Sequence, residues 1–160
     1  MAFLWSPAIA DDPFAFVMAA YPWGKEGTPL ARFKGPRAWQ RRVLKSIKHH
    51  IAKGHIFDLP ELLRIARASG RGIGKSALVA WLVDWFVSCR IGATAIVSAN
   101  TEDQLRKITF AELSKWIAMS INEHWWEVGG ITMTTAKWLK ELVERDLQKG
   151  TGYWGAFGKL

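Results

Sequence analysis

Ala68-Ser69-Gly70-Arg71-Gly72-Ile73-Gly74-Lys75-Ser76 is the stretch whose reading decides the fold. Before it, the apolar run at 62–68 reads as a strand. After it, the run at 77–89 reads as a helix. Strand, glycine-rich turn, Gly-Lys-Ser and helix form the layout of a Walker A-type phosphate loop. Glycines let main-chain N–H groups approach an anion with no Cβ in the way. The helix start adds unpaired N–H donors and the positive end of a dipole. In such a loop Lys75 reaches the β- and γ-phosphates and Ser76 holds Mg²⁺ through its hydroxyl. The strict pattern asks for Gly where this chain has Ser69, so the match is to a relaxed form. The plainer alternative is a glycine-rich turn with a solvated lysine.

Working outward, 160 residues suffice for one domain with a core, and 49% hydrophobic and 22% charged content is ordinary for a soluble protein. Ten tryptophans predict a large buried aromatic area. A net charge of +8 favours an acidic partner, nucleic acid first, against the alternative of a merely basic surface. Cys89 is the single cysteine, so no disulfide framework exists and a reducing compartment fits. No signal peptide is expected, because Asp11 and Asp12 interrupt the early apolar run. The 77–89 run contains Asp84 and is too short to span a bilayer, so no membrane partner is expected.

Asp11 or Asp12 before Pro13 predicts a short helix through about Ala20. Residues 21–36 are rich in Gly and Pro and read as a loop. A helix is expected from about Pro36 to Lys53, with Trp39, Val43, Leu44, Ile47 and Ile51 on one face. Arg37, Arg41, Arg42, Lys45, Lys48 and Lys53 fill much of the rest, either as a solvated face or as phosphate contacts. His49 and His50 read as surface residues at the helix end. A second buried strand is expected at 93–98. Thr101-Glu102-Asp103-Gln104 has capping-box spacing and opens a helix to about Asn122, with Leu105, Ile108, Leu113, Trp116, Ile117 and Ile121 inward. A third, β-branched strand is expected at 131–134, and helical spacing resumes from Trp138 to Gly150, with a longer strand through Trp138 as the rival. Alternating strands and helices imply an α/β fold, a P-loop NTPase-type parallel sheet with flanking helices. The expected division is 1–56 as a helical and loop segment and 57–160 as a partial ATPase core.

Hydrolysis needs a strand ending in a carboxylate that holds Mg²⁺, usually with a Glu beside it. No four apolar residues followed by Asp-Glu occur. Asp84 lies on the helix after the loop and reads as a partly buried or capping residue. Two or three strands are also few for such a sheet. Both shortfalls lead to the expectation that the chain is the N-terminal portion of a longer ATPase.

Residues 69–76, together with Ala95-Ile96-Val97-Ser98-Ala99-Asn100-Thr101-Glu102-Asp103-Gln104-Leu105, resemble the N-terminal ATPase of tailed-phage terminase large subunits. Gly35-Pro36-Arg37-Ala38-Trp39-Gln40 resembles that family's adenine-side segment, and the likeness spans about residues 20–125. The resemblance implies an ATP-driven hydrolase for viral genome packaging, acting on double-stranded DNA in the host cytoplasm. It further implies a portal protein and a terminase small subunit as partners, and a homo-oligomeric ring. Carried over, Gln40 would read the adenine edge, which an amide suits because it donates and accepts at once. Gly70, Gly72, Ile73, Gly74, Lys75, Ser76 and Ala77 would hold ATP, with Mg²⁺ at Ser76. Lys75 and Arg71 would act on the transferring phosphoryl group. From the residues alone, Gln40 is equally an exposed helix residue, Arg71 a solvent-facing charge or DNA contact, and Thr101 a simple cap. Another motor of helicase-like type, and a basic DNA-binding or assembly module without turnover, remain alternatives.

Overall fold

A computed structural model of the chain describes residues 5–53, 62–66, 68, 70, 72–90 and 92–148. They form two compact units, residues 1–75 and residues 76–160.

The first unit is helical. α1 (Pro7–Ala10) leads into α2 (Pro13–Ala20), and α3 (Ala38–Ala52) packs on α2. α2 starts where the sequence dictates. Pro13 takes the first turn, where its missing N–H costs nothing, and the Asp12 carboxylate accepts from the N–H groups of Phe14 and Ala15, both at 3.0 Å. The same carboxylate accepts from Lys48 on α3 at 2.6 Å. Asp12 therefore caps one helix and ties it to the next. The core consists of Trp5, Phe16, Val17, Leu30, Val43 and Leu44, with Trp5 and Phe16 ring centroids 4.4 Å apart. The 21–37 connection is pinned by Trp23, whose indole N–H donates to the Val17 carbonyl at 2.8 Å.

The second unit contains α4 (Lys75–Cys89), α5 (Glu102–Gln104), a π-helical turn (Leu105–Phe110), α6 (Ala111–Ile117), a 3₁₀ turn (Glu123–Trp125), β1 (Trp126–Gly129), β2 (Thr132–Thr135) and α7 (Lys137–Gln148). Its buried residues include Trp81 and Trp85 of α4, Leu113, Trp116 and Ile117 of α6 and Leu139 of α7. Trp81 and Trp116 meet edge to face at 4.9 Å, the arrangement that ring quadrupoles favour. Thr101 caps α5 by accepting from the Gln104 N–H at 3.1 Å. Of the inward set read from sequence, Leu113, Trp116 and Ile117 are buried while Ile108 and Ile121 are exposed. The π turn inserts extra residues, so a stripe read at 3.6-residue spacing leaves the packed face there.

The expected parallel α/β sheet is not present among the described residues. Residues 62–66 and 93–98 belong to no strand. Leu62 is 71% exposed and Ile96 is 90% exposed. The sheet observed is the antiparallel pair β1–β2, in register from Trp126↔Thr135 to Gly129↔Thr132. The physical reason is that a strand is not a local object. Its N–H and C=O groups need a neighbouring strand, and an apolar parallel strand needs cover on both faces. No described strand lies beside either segment. The hairpin succeeds because its partners are adjacent in sequence and a two-residue turn closes it, with Gly130 at φ +59°.

One buried polar cluster stands out. Asp84 is 0% exposed, and its carboxylate accepts from Ser88 Oγ at 2.9 Å and from Asn122 Nδ2 at 3.3 Å. Asn122 Nδ2 also donates to Ser88 Oγ at 2.8 Å, and Ser120 Oγ donates to Asn122 Oδ1. Asn122 thus fastens the segment after α6 to α4. Removing a donor from a buried acceptor costs its unrecovered desolvation, about 1–3 kcal/mol. Asn122→Ala is expected to lower the urea midpoint accordingly. Asp84→Ala in the same background should cost less than it does alone, since the two share one network.

Burial by itself pushes the Asp12 carboxyl up. The Lys48 hydrogen bond, the Ala15 and Phe14 N–H groups and the Lys48 charge outweigh burial and hold it below the ordinary carboxylate range. A carboxyl depressed in the folded state contributes stability that is complete above its unfolded pKa, near 4, and is lost as pH falls through the folded value. Asp12→Ala should cost about 1 kcal/mol and expose the Phe14 and Ala15 amides to faster hydrogen exchange. Wild-type protection should fade on acidification below about pH 4, and the Asp12→Ala protein should lack that step.

Candidate functional site

The 70–75 turn belongs to the first unit, where α3 supports it. Gly72 has φ +73° and Gly74 has φ +87°, backbone that L side chains rarely adopt. The sequence therefore needs glycine at these two positions for the turn itself. Lys75, exposed at the first residue of α4, folds back so that its ammonium donates to the Gly70 carbonyl at 3.2 Å. The chain curls tightly enough for one lysine to reach the opposite side of the turn.

Gln40 lies in the first turn of α3, yet it is only 2% exposed. Its Oε1 accepts from the Arg37 N–H at 2.8 Å, and its Nε2 donates to the Gly74 carbonyl, also at 2.8 Å. The first bond is half of a capping box: a Gln three residues past the cap position satisfies the cap residue's amide. The second crosses 34 residues of sequence to the glycine turn. A Cβ built on Gly74 would lie 2.9 Å from Gln40 Nε2, so the closeness of α3 is a second reason for glycine there.

The residues read from sequence fall as follows. Gln40, Gly70, Gly72, Ile73, Gly74 and Lys75 come together in the first unit, with Gln40 engaged at both ends of its amide. Ser76 and Ala77 are the next two residues of α4, the first exposed and the second buried. Arg71 and Ser69 lie outside the described residues, as do His55 and residues 149–160. Asp84 sits nine residues beyond Lys75, about 14 Å along a helix axis. Held as it is by Ser88 and Asn122, it cannot share a metal with Ser76. Among the described residues no group of three or more His, Cys, Asp or Glu side chains is placed to hold a metal ion. Ser76 fits the part of a lone hydroxyl ligand to Mg²⁺ that arrives with phosphates, since that ion keeps several waters and takes phosphate oxygens. No described helix is long and apolar enough to cross a membrane.

Sequence reasoning missed the Gln40–Gly74 bond. The available signal was the Arg37-Ala38-Trp39-Gln40 spacing, which places a glutamine at the third helical position, where it turns back toward the helix start. The Asp84–Ser88–Asn122 cluster was also missed; its signal was the four-residue spacing of Asp84 and Ser88 on one helix face.

No protein-family model, curated protein or solved structure matches the chain.

Gly74→Ala forces a left-handed backbone on an alanine and pushes Gln40 aside. It should cost about 1–2 kcal/mol. Gln40→Ala should accelerate hydrogen exchange at the Arg37 amide, which the side chain covers. If that amide exchanges as in wild type, the brace is not formed in solution.

Proposed function

We propose that the chain binds ATP with Mg²⁺ at residues 70–77, as the nucleotide-binding N-terminal part of a terminase-like motor that packages double-stranded DNA. The observation that carries the reading is the Gln40–Gly74 hydrogen bond. The glycine turn, which has the layout of a phosphate loop, and the segment that resembles an adenine-side motif lie 34 residues apart and are in direct contact. The left-handed Gly72 and Gly74 and the lysine already folded over the turn are what a triphosphate cradle requires. In this reading Lys75 leaves the Gly70 carbonyl for the β- and γ-phosphates, and Ser76 meets the accompanying Mg²⁺. Gln40 keeps the turn seated, and its remaining N–H and lone pair are the groups that would face adenine. Arg71 would add charge stabilisation at the transferring phosphoryl group.

Binding comes before turnover here. ATP hydrolysis is the reaction of the class that the chain resembles. Asp84, the acidic residue on the helix following the loop, is committed to Ser88 and Asn122 and cannot serve as the metal carboxylate. Portal protein, small subunit and ring assembly enter only through the resemblance.

Titrating ATP·Mg into the purified chain by calorimetry tests the reading. Lys75→Ala should weaken binding at least about tenfold, the loss of one charge-assisted contact of about 1.5–3 kcal/mol. Equal affinity in the two proteins would remove the phosphate assignment.

A further inference from the structure

The charge of this chain is unevenly placed. Residues 1–75 hold thirteen lysines and arginines against five acidic residues, and residues 76–160 hold nine against nine, so the whole net charge of +8 lies in the first unit. Within it, residues 36–54 contain no acidic residue. Arg37, Arg41, Arg42, Lys45, Lys48 and Lys53 are all exposed there. At about 100° per residue they cover an arc of roughly 160° on α3 and its two ends, and they extend about 24 Å along the axis. The opposite arc carries Val43, Leu44 and Ile47, all buried. Lys48 is occupied by Asp12, and Lys45 lies over the Phe14 ring at 5.5 Å. Arg37, Arg41, Arg42 and Lys53 make no ion pair among the described residues, so their charge faces solvent uncompensated.

We infer that this outer face of α3 is a binding surface for the phosphate backbone of duplex DNA. The inference rests on the DNA partner of the preceding reading but not on its nucleotide site. Three features choose the occupant. A ridge of uncompensated cations about 24 Å long matches a polyanion with a charge every 1.7 Å or so of axis, not a single phosphate. Among the exposed residues of α3 there is no Phe, Tyr or Trp and the one ring is the imidazole of His49, so the face lacks the row of stacking platforms that single strands use. The apolar side of α3 is spent on α2, so no apolar face is left to enter a lipid surface. Four arginine and lysine contacts give affinity without base readout, because phosphate contacts position a duplex and carry no sequence information.

The test is anisotropy of a labelled duplex of about 20 base pairs with the full chain, between about 50 and 200 mM salt. Wild type should show a log–log salt slope of roughly −4, and Arg41→Ala/Arg42→Ala should bind at least about tenfold more weakly with a slope flatter by about 2. Both residues are exposed on the helix surface, so the variant should keep its fold, which circular dichroism checks. Lys137→Ala/Lys140→Ala, on exposed positions of α7, is the comparison for charge loss in general. The inference is overturned if the arginine variant binds like wild type, if the α7 variant loses as much, or if vesicles with phosphatidylserine are bound while the duplex is not. Lys75→Ala separates the two proposals: it should lose ATP and keep the duplex. ATP binding that survives in Lys75→Ala counts against the nucleotide site alone.

Discussion

One buried amide sets the terms for the first unit. Gln40 is shielded from water, so each end of its side chain must find a partner or its desolvation is uncompensated. It finds them in the Arg37 N–H and the Gly74 carbonyl. The first partner fixes where α3 begins. The second fixes where the glycine turn runs. Because Gly74 is at φ +87° and has no Cβ to strike the amide, the turn can come this close. The amide, the glycine and the helix start are thus one constraint seen from three sides, and Lys75 inherits its position from them as the next residue in the chain.

What the sequence made legible was local. Asp12-Pro13 announced α2, and residues 38–52 announced α3, because caps and 3.6-residue stripes are decided within a turn or two of the residues that carry them. The strands expected at 62–68 and 93–98 are not formed among the described residues, and local sequence could not show that. Their apolar, β-branched composition is compatible with a sheet, but whether a sheet exists depends on neighbours elsewhere in the chain. Ile96 in a continuous sheet would be among the least exposed residues; without a neighbour it is almost fully in water. The hairpin shows the contrast. Val128-Gly129-Gly130-Ile131 brings its own partner within two residues, and there pairing occurs.

The candidate site divides the same way. The glycine positions follow from backbone chemistry and were legible: Gly72 and Gly74 take the left-handed conformations that a tight turn requires. The bond from Gln40 to the Gly74 carbonyl was not legible, since the resemblance implied only a ligand edge for that amide. A side-chain amide cannot declare which acceptor it will meet when the candidates lie 34 residues away. Asp84 was legible as a partly buried or capping residue, because a lone carboxylate in an otherwise apolar helix has few other options. Its companions Ser88 and Asn122 were not, because Asn122 comes from beyond another helix.

The helical period explains why α3 can serve two masters. Gln40 and Arg41 are consecutive, yet about 100° apart around the axis. That angle is enough to put one amide into a dry contact with the glycine turn and the next guanidinium into solvent. The arrangement depends on register. A single residue inserted between Gln40 and Val43 would turn the amide about 100° relative to the apolar arc that packs on α2 and carry it off Gly74. Burial of Val43, Leu44 and Ile47 therefore does more than hold two helices together. It is the packing term that selects the one rotation of α3 in which the inner edge meets the turn and every cation faces outward.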